Sequence, residues 1–223
     1  MDTRKRHRRA VRRAPGRPAT GAVDHREALL GAACILFSTQ GVAATSLRQI
    51  AALAQVTPAL AHYYFADKPG LLAAVVEQRI APLVAGLAHT VQAVDPAAPL
   101  QALVHFVQQY TVLAADHPWL PQLLLREVLN PQGALRHSFP QRFASGLSAM
   151  LQQRIRYAQQ RGDIRPELDP AKLVMSIIAL CIFPFIATPL VVDTLGIDVD
   201  PAHAASLSSH HLAVLLHGIG SPI

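Results

Sequence analysis

A chain of 223 residues that is 51% apolar, with a mean hydropathy of +0.27, has enough hydrophobic residues for one large core or two smaller ones and is not of the disordered class. Only 15% of the residues are charged, and the 17 prolines and 12 glycines are spread along the chain, which excludes collagenous and low-complexity architectures. The two cysteines, Cys34 and Cys181, lie far apart in apolar runs, so they support neither a disulfide framework nor a thiolate metal site and read as buried thiols in a reducing compartment.

The net charge of +6 is concentrated at one end. Residues 1–17 hold Arg4, Lys5, Arg6, Arg8, Arg9, Arg12, Arg13 and Arg17 against Asp2 alone, which is +7 and leaves the rest of the chain at −1. A basic block without an apolar face cannot fold alone and suits a polyanion, either nucleic acid or an anionic membrane surface. No apolar run follows it before Asp24, so it does not read as a secretory signal. Residues 1–22 are therefore expected to form a disordered basic arm.

Apolar residues recur with the helical period along nearly the whole remainder and no run alternates as a strand does, so the expected fold class is all-α. Ala28, Leu29, Ala32, Ala33, Leu36 and Phe37 form the stripe of a helix over about 24–40, ended by Gly41, where a left-handed cap is expected. Thr45 and Ser46 supply cap chemistry for a short helix over 47–54, and Thr57 followed by Pro58 opens another that reaches Tyr64. Two short helices so spaced outline a helix-turn-helix. Asp67, Lys68 and Pro69 open a longer fourth helix with Leu72, Val76, Ile80, Leu83 and Leu87 on one face, and Pro82 is expected to kink it. Loop signals at 94–99, 129–134, 161–170 and 188–201 leave helices near 99–115, 118–129, 135–160, 170–187 and 202–217. The stretch from Leu173 to Val192 is apolar apart from Ser176 and Thr188 and is long enough to span a bilayer, but Pro184 and Pro189 interrupt it. A helix apolar on every side and hidden by protein calls instead for a second subunit.

The residues Arg26-Glu27-Ala28-Leu29-Leu30, Ala33, Leu36-Phe37, Gly41, Thr45 to Ala51, Ala54, Val56-Thr57-Pro58, Tyr63-Tyr64-Phe65, Asp67-Lys68 and Leu71-Leu72 resemble, in order and spacing, the N-terminal DNA-binding domain of TetR/AcrR-type transcriptional regulators. The resemblance implies a three-helix helix-turn-helix domain over 23–69 and a larger helical ligand-binding and dimerisation domain over 70–223. It also implies a cytoplasmic homodimer that represses transcription from a palindromic double-stranded DNA operator and is released by a small-molecule effector. The chain departs from the family at Ala61-His62, where members usually carry a branched apolar residue followed by tyrosine.

In such a pair the second helix enters the major groove with its N-terminal residues facing base edges, while the first braces the phosphates. Thr57, Pro58 and Ala59 are small and permit close approach, so His62, Tyr63 and Tyr64 one turn later are the expected contacts to bases or phosphates. Arg48 is the expected guanine or phosphate ligand of the bracing helix, Lys68 and the amides opening the fourth helix suit a phosphate, and Thr45 and Ser46 offer hydroxyls. Arg26, Arg48 and Lys68 are matched by Asp24, Glu27 and Asp67 over residues 18–68, so the folded head is neutral and the arm is expected to supply the nonspecific affinity.

The effector is expected between the fourth helix and those after it, with His105, Phe106, Tyr110, Trp119, Arg126, Glu127 and Phe183 as candidate lining residues for a hydrophobic or amphipathic molecule. Among the 11 histidines, His203, His210 and His217 recur every seven residues on the last helix without a cysteine or carboxylate beside them. That stripe reads as a dimer seam, weakened by protonation below pH ~6.5, rather than as a metal site. No nucleophile motif, phosphate loop or carboxylate pair is present, so no enzyme activity, cofactor or metal is expected. Two rival readings remain: a sequence-independent architectural DNA-binding protein led by its arm, and a membrane-associated helical protein anchored by Leu173 to Val192, whereas the first reading needs no membrane.

Overall fold

The computed structural model describes residues 24–219, and the basic arm lies outside them. Among the described residues every regular element is a helix. α1 (His25–Gln40) starts at Asp24, whose carboxylate accepts the Arg26 and Glu27 N–H groups, and it buries Leu29, Leu30, Ala33 and Phe37. Gly41 ends it at φ 85° and ψ 160°. This positive-φ region is essentially closed to residues with a Cβ, and it differs from the left-handed helical cap the sequence suggests. α2 (Leu47–Leu53) and α3 (Pro58–Phe65) complete the head, and α4 (Lys68–Val75) leaves it.

α4 continues through a wide π turn, Val76–Ile80, into α5 (Ala81–Gln92). The expected disturbance at Pro82 takes this form: the Ala81 N–H bonds the Val76 carbonyl five residues back, and the widened turn makes room for a proline ring that would meet the carbonyl of Gln78 in a regular helix. α6 (Pro99–Asp116) runs through the centre of the second half and packs on α5, α8 (Ser145–Gln160), α9 (Pro170–Ile186) and α11 (Ala204–Ile219). Between α6 and α8 come α7 (Trp119–Leu124), a second π turn (Leu125–Leu129), and a third (Pro140–Ala144).

Two expectations on boundaries are corrected. The helix expected from residue 135 does not begin there, because the Leu135 and Ala134 N–H groups turn back to the main chain and side chain of Glu127. The loop expected at 188–201 contains α10 (Thr188–Leu195), since Pro189 sits in its first turn, where no intrahelical N–H is required, and Gly196 closes it at φ 65°, ψ 29°. α9 and α10 meet at a 75° bend, so the apolar stretch Leu173 to Val192 is two helices, and Leu173, Val174, Ile177, Cys181 and Phe185 face the protein interior. The run Lys68–Gln92 is also long and apolar enough to cross a membrane, but Leu71, Val75 and Ile80 enter one protein core and Leu87 and Val91 another.

The first core joins α1–α4 to Leu120 and Leu123 of α7 and to Leu135, so the interior of the head does not stop at residue 69. The second gathers Leu87, Phe106, Leu151, Ile155, Ile177 and Cys181. Burial pushes the Cys34 thiol up to about 11 and the Cys181 thiol to about 12, so both remain protonated at neutral pH.

The histidine stripe divides. His203 precedes α11 and pairs with Asp200 at 2.8 Å, which raises its pKa, so its charge is stabilised rather than repelled. His210 and His217 are exposed, and His211 is the buried one, 3% exposed, with an Nδ1 that finds no partner. Burial, with the neighbouring His210 second, lowers the His211 pKa below 6.5. A depressed base favours the fold above the unfolded value and costs stability as pH falls through it, because the unfolded chain takes up a proton the folded chain resists. His211→Leu is expected to gain stability relative to wild type between pH 7.5 and 5.5, by at most about 1.4 kcal/mol per pH unit, and denaturant titrations at the two pH values give the difference directly.

Candidate nucleic-acid interface and effector cavity

The head is set by local chemistry. The Ser46 hydroxyl accepts the Gln49 N–H while the Gln49 side chain accepts the Ser46 N–H, a reciprocal cap that fixes the start of α2. The Thr57 hydroxyl accepts the Leu60 N–H and Pro58 pre-sets the first turn of α3. Ile50, Ala51, Ala61 and Phe65 then point into the core, which leaves Arg48, Thr57, Pro58, Ala59, His62 and Tyr63 on the outer face. Tyr63 is 80% exposed and meets Tyr64 edge-on at 5.3 Å. After α3 the chain reverses through Ala66 at φ 59°, with the Asp67 N–H on the Phe65 carbonyl, and a Cβ on Gly70 would come within 2.3 Å of that same oxygen.

The cations of the head have different fates. Lys68 gives Nζ to the carbonyls of Val42, Ala43 and Thr45 at 2.7, 3.1 and 2.8 Å. An ammonium has three donors, so none is left for the phosphate the sequence suggests, and Lys68 instead ties α4 to the α1–α2 loop. Arg26 reaches Gln78 and lies over the Phe65 ring. Arg48 is exposed and makes no hydrogen bond or ion pair to a described residue. Thr45 is only 2% exposed, with its hydroxyl donated to the Gly41 carbonyl at 2.6 Å, which removes it from any outer surface. His62 gives its Nδ1–H to the Ala66 carbonyl at 2.7 Å, so in the neutral ring Nε2 is an acceptor suited to a base amino group rather than to a phosphate.

A cavity of about 250 Å³ lies between the two cores, walled by Leu83, Val84 and Leu87 of α5, Tyr110 and Leu113 of α6, Leu124 and Val128, Phe139 and Phe143, and Ile178 and Ile182 of α9. Its polar side chains are Tyr110, whose hydroxyl bonds no described residue and whose phenol is held above its ordinary pKa by burial, and Ser148, whose hydroxyl accepts from Gln152. Of the seven candidate lining residues only Tyr110 borders this space. Phe106, one turn earlier on α6, fills the second core, His105 is exposed, and Trp119 packs on the first core. Phe183 is 55% exposed on the outside of α9.

Arg126 and Glu127 do something that sequence reasoning missed. The Arg126 Nε–H reaches the Ser38 carbonyl near the end of α1 at 2.8 Å. Glu127, 5% exposed, accepts the Val42 N–H on one oxygen and the Ala134 N–H on the other, both at 2.8 Å. The pair thus belongs to the joint between head and cavity, with Leu124 and Val128 of the cavity wall on either side. Two charges inside the apolar run Leu123–Leu129 were the available signal, because a buried charge requires partners. The π turn of α4–α5 makes a second joint: Gln78 and Arg79 reach Arg26 and Glu27 of α1, while Glu77 pairs with Arg142.

A two-part helical protein with a helix-turn-helix head and an enclosed apolar cavity is a ligand-responsive transcriptional regulator in architecture. Family models agree: residues 29–75 match "Bacterial regulatory proteins, tetR family" and residues 96–214 match "Tetracyclin repressor-like, C-terminal domain". The chain belongs to the TetR family of transcriptional regulators. It is 30% identical over 160 residues to the HTH-type transcriptional repressor NicS of Pseudomonas putida, covering 71% of this chain and 74% of that protein. In fold it is similar to the ketosteroid transcriptional regulator KstR2 of Mycobacterium tuberculosis (20% identity, TM-score 0.73, 92% of this chain and 100% of that one). It is likewise similar to the transcriptional regulator FadR from Bacillus subtilis in complex with stearoyl-CoA (18% identity, TM-score 0.66, 86% and 98%).

Proposed function

We propose that this chain acts in the cytoplasm as a homodimeric repressor, binding a palindromic operator through Arg48, Ser46, Thr57, Pro58, Ala59, His62 and Tyr63, and leaving it when an apolar or amphipathic molecule fills the cavity between the cores. The division into arm, head over 23–69 and effector domain over 70–223 belongs to this reading. The observation that carries it is a shared wall: Leu124 and Val128 line the cavity and flank Arg126 and Glu127, which hold Ser38 and Val42 of the head. Met175 and Phe183 on α9 and Val214 on α11 are exposed apolar residues, and a second copy of the chain packed on them would supply the dimer. An occupied cavity then favours an arrangement in which the two heads no longer match major grooves ~34–36 Å apart.

Selection of bound fragments from random DNA, followed by competition with unlabelled random sequence, tests the reading. A regulator discriminates by ~10³ or more, and equal competition by random DNA would make the chain an architectural binder instead. Deletion of residues 1–17 is expected to flatten the plot of log K against log salt, by about 0.9 for each phosphate the arm neutralises; an unchanged slope removes the arm from the interface.

A further inference from the structure

A second cavity, of about 270 Å³, lies beside the first, between Leu72, Val76 and Glu77 on one side and Ser138, Phe139 and Arg142 on the other. The two spaces share Phe139 and Phe143, whose rings stand 5.2 Å apart and form the partition between them. Each alone falls below the ~300–1,000 Å³ of ordinary ligand pockets, and joined they fall within it. Aromatic side chains turn about two bonds without moving the main chain, so an elongated molecule can open the partition.

The two compartments differ in chemistry. The inner one has no charged wall residue, whereas the outer one is bordered by a cation and its counter-ion, Arg142 and Glu77. Arg142 lies over the Phe143 ring at 4.9 Å and pairs through both terminal nitrogens with Glu77, one contact at 2.5 Å, which pushes the Glu77 pKa down and the Arg142 pKa up. Both partners are about half exposed, so the pair is solvent-screened and exchangeable. A ligand carboxylate or phosphate reproduces the two-pronged geometry that Glu77 now satisfies.

We infer that the effector is an elongated amphipathic anion, its apolar part in the inner cavity past Phe139 and Phe143 and its anionic group taking Arg142 from Glu77. This deepens the proposed function and rests on its placement of the effector. It also gives the exchange a consequence: Glu77 sits in the π turn whose next two residues hold α1, so losing Arg142 frees that turn from the 135–144 segment while its ties to the head remain.

The test uses the full chain at pH 7.5 and isothermal titration with decanoate, decanoyl-coenzyme A and decanol as probes. One or both anions are expected to bind at least about tenfold tighter than decanol, as a charged hydrogen-bonded pair requires, and which of them does so separates a free acid from a nucleotide thioester. Arg142→Gln is expected to remove that advantage and Glu77→Gln to increase it severalfold, with decanol alike in all three proteins. Thermal unfolding accompanies each variant, and if Arg142→Gln is unfolded the Glu77→Gln comparison decides. Equal binding of decanol and the anions, unchanged anion affinity in a folded Arg142→Gln, or no anion binding at all overturns the inference. Operator binding by the wild-type protein, measured on the same preparation, judges the regulator reading separately.

Discussion

Glu127→Ala is expected to lower the stability of the protein by about 3 kcal/mol, because two buried N–H groups lose a charged acceptor together and neither has a replacement. For a chain of this length the melting temperature should fall by roughly 6–12 °C. Glu127→Gln should fall between, since an amide oxygen can keep one of the two N–H groups while its NH2 faces the other donor to donor. Hydrogen exchange gives the specific readout: the Val42 and Ala134 amides should lose protection in both variants, ahead of amides deep in the second core. If the melting temperature dropped while those two amides kept wild-type exchange, the carboxylate would not be the link between the head and the segment after the second π turn. The same position makes Glu127 a switch element, because Leu124 and Val128 on either side line the cavity and any ligand that moves them moves the carboxylate.

How much of this was legible in the sequence follows the range of the forces involved. α1 to α3 begin within a residue of where Asp24, Ser46, Thr57 and Pro58 place them, because a cap is a contact between residues three apart and needs no tertiary context. The same rule misread the far end of the chain, where Pro189 opens a helix instead of a loop; a proline is equally at home in a first helical turn and after a last one. The TetR-family head is legible for a similar reason, since its pattern of core and cap residues is nearly contiguous. The roles of Lys68, Thr45 and Glu127 are not, because the partners of Lys68 and Glu127 lie 23 to 26 and 85 residues away and nothing in a linear pattern announces them. Lys68 was taken for a phosphate ligand because a cation at a helix start suits an anion, and only the three carbonyls around its ammonium show that the charge is already used. The effector residues failed on rotation: the period of α6 marks both Phe106 and Tyr110 as inward, and a small angular difference sends one into the core and the other to the cavity wall.

Arg48→Ala combined with Tyr63→Ala is expected to weaken operator binding at least about a hundredfold, with each contact contributing about 1–3 kcal/mol, while leaving the unfolding midpoint nearly unchanged. The separation of the two effects is the point. Both side chains are exposed, neither Arg48 nor the Tyr63 hydroxyl bonds a described residue, and the Tyr63–Tyr64 ring contact is the only one lost, so the head has little stability to lose. The single variants should differ in kind. Arg48 is the cation of α2 and α3 that no carboxylate or carbonyl occupies, so Arg48→Ala should lower the salt slope by about 0.9 if it meets a phosphate and leave the slope alone if it reads a guanine edge. Tyr63 carries no charge, so Tyr63→Ala should reduce affinity at every salt concentration by the same factor. His62 supplies the internal comparison: its Nε2 can only accept while the ring is neutral, so His62→Gln, which keeps an acceptor, should bind better than His62→Ala at neutral pH. Wild-type operator affinity in the double variant would place the DNA-contacting surface elsewhere than on the outer face of α2 and α3.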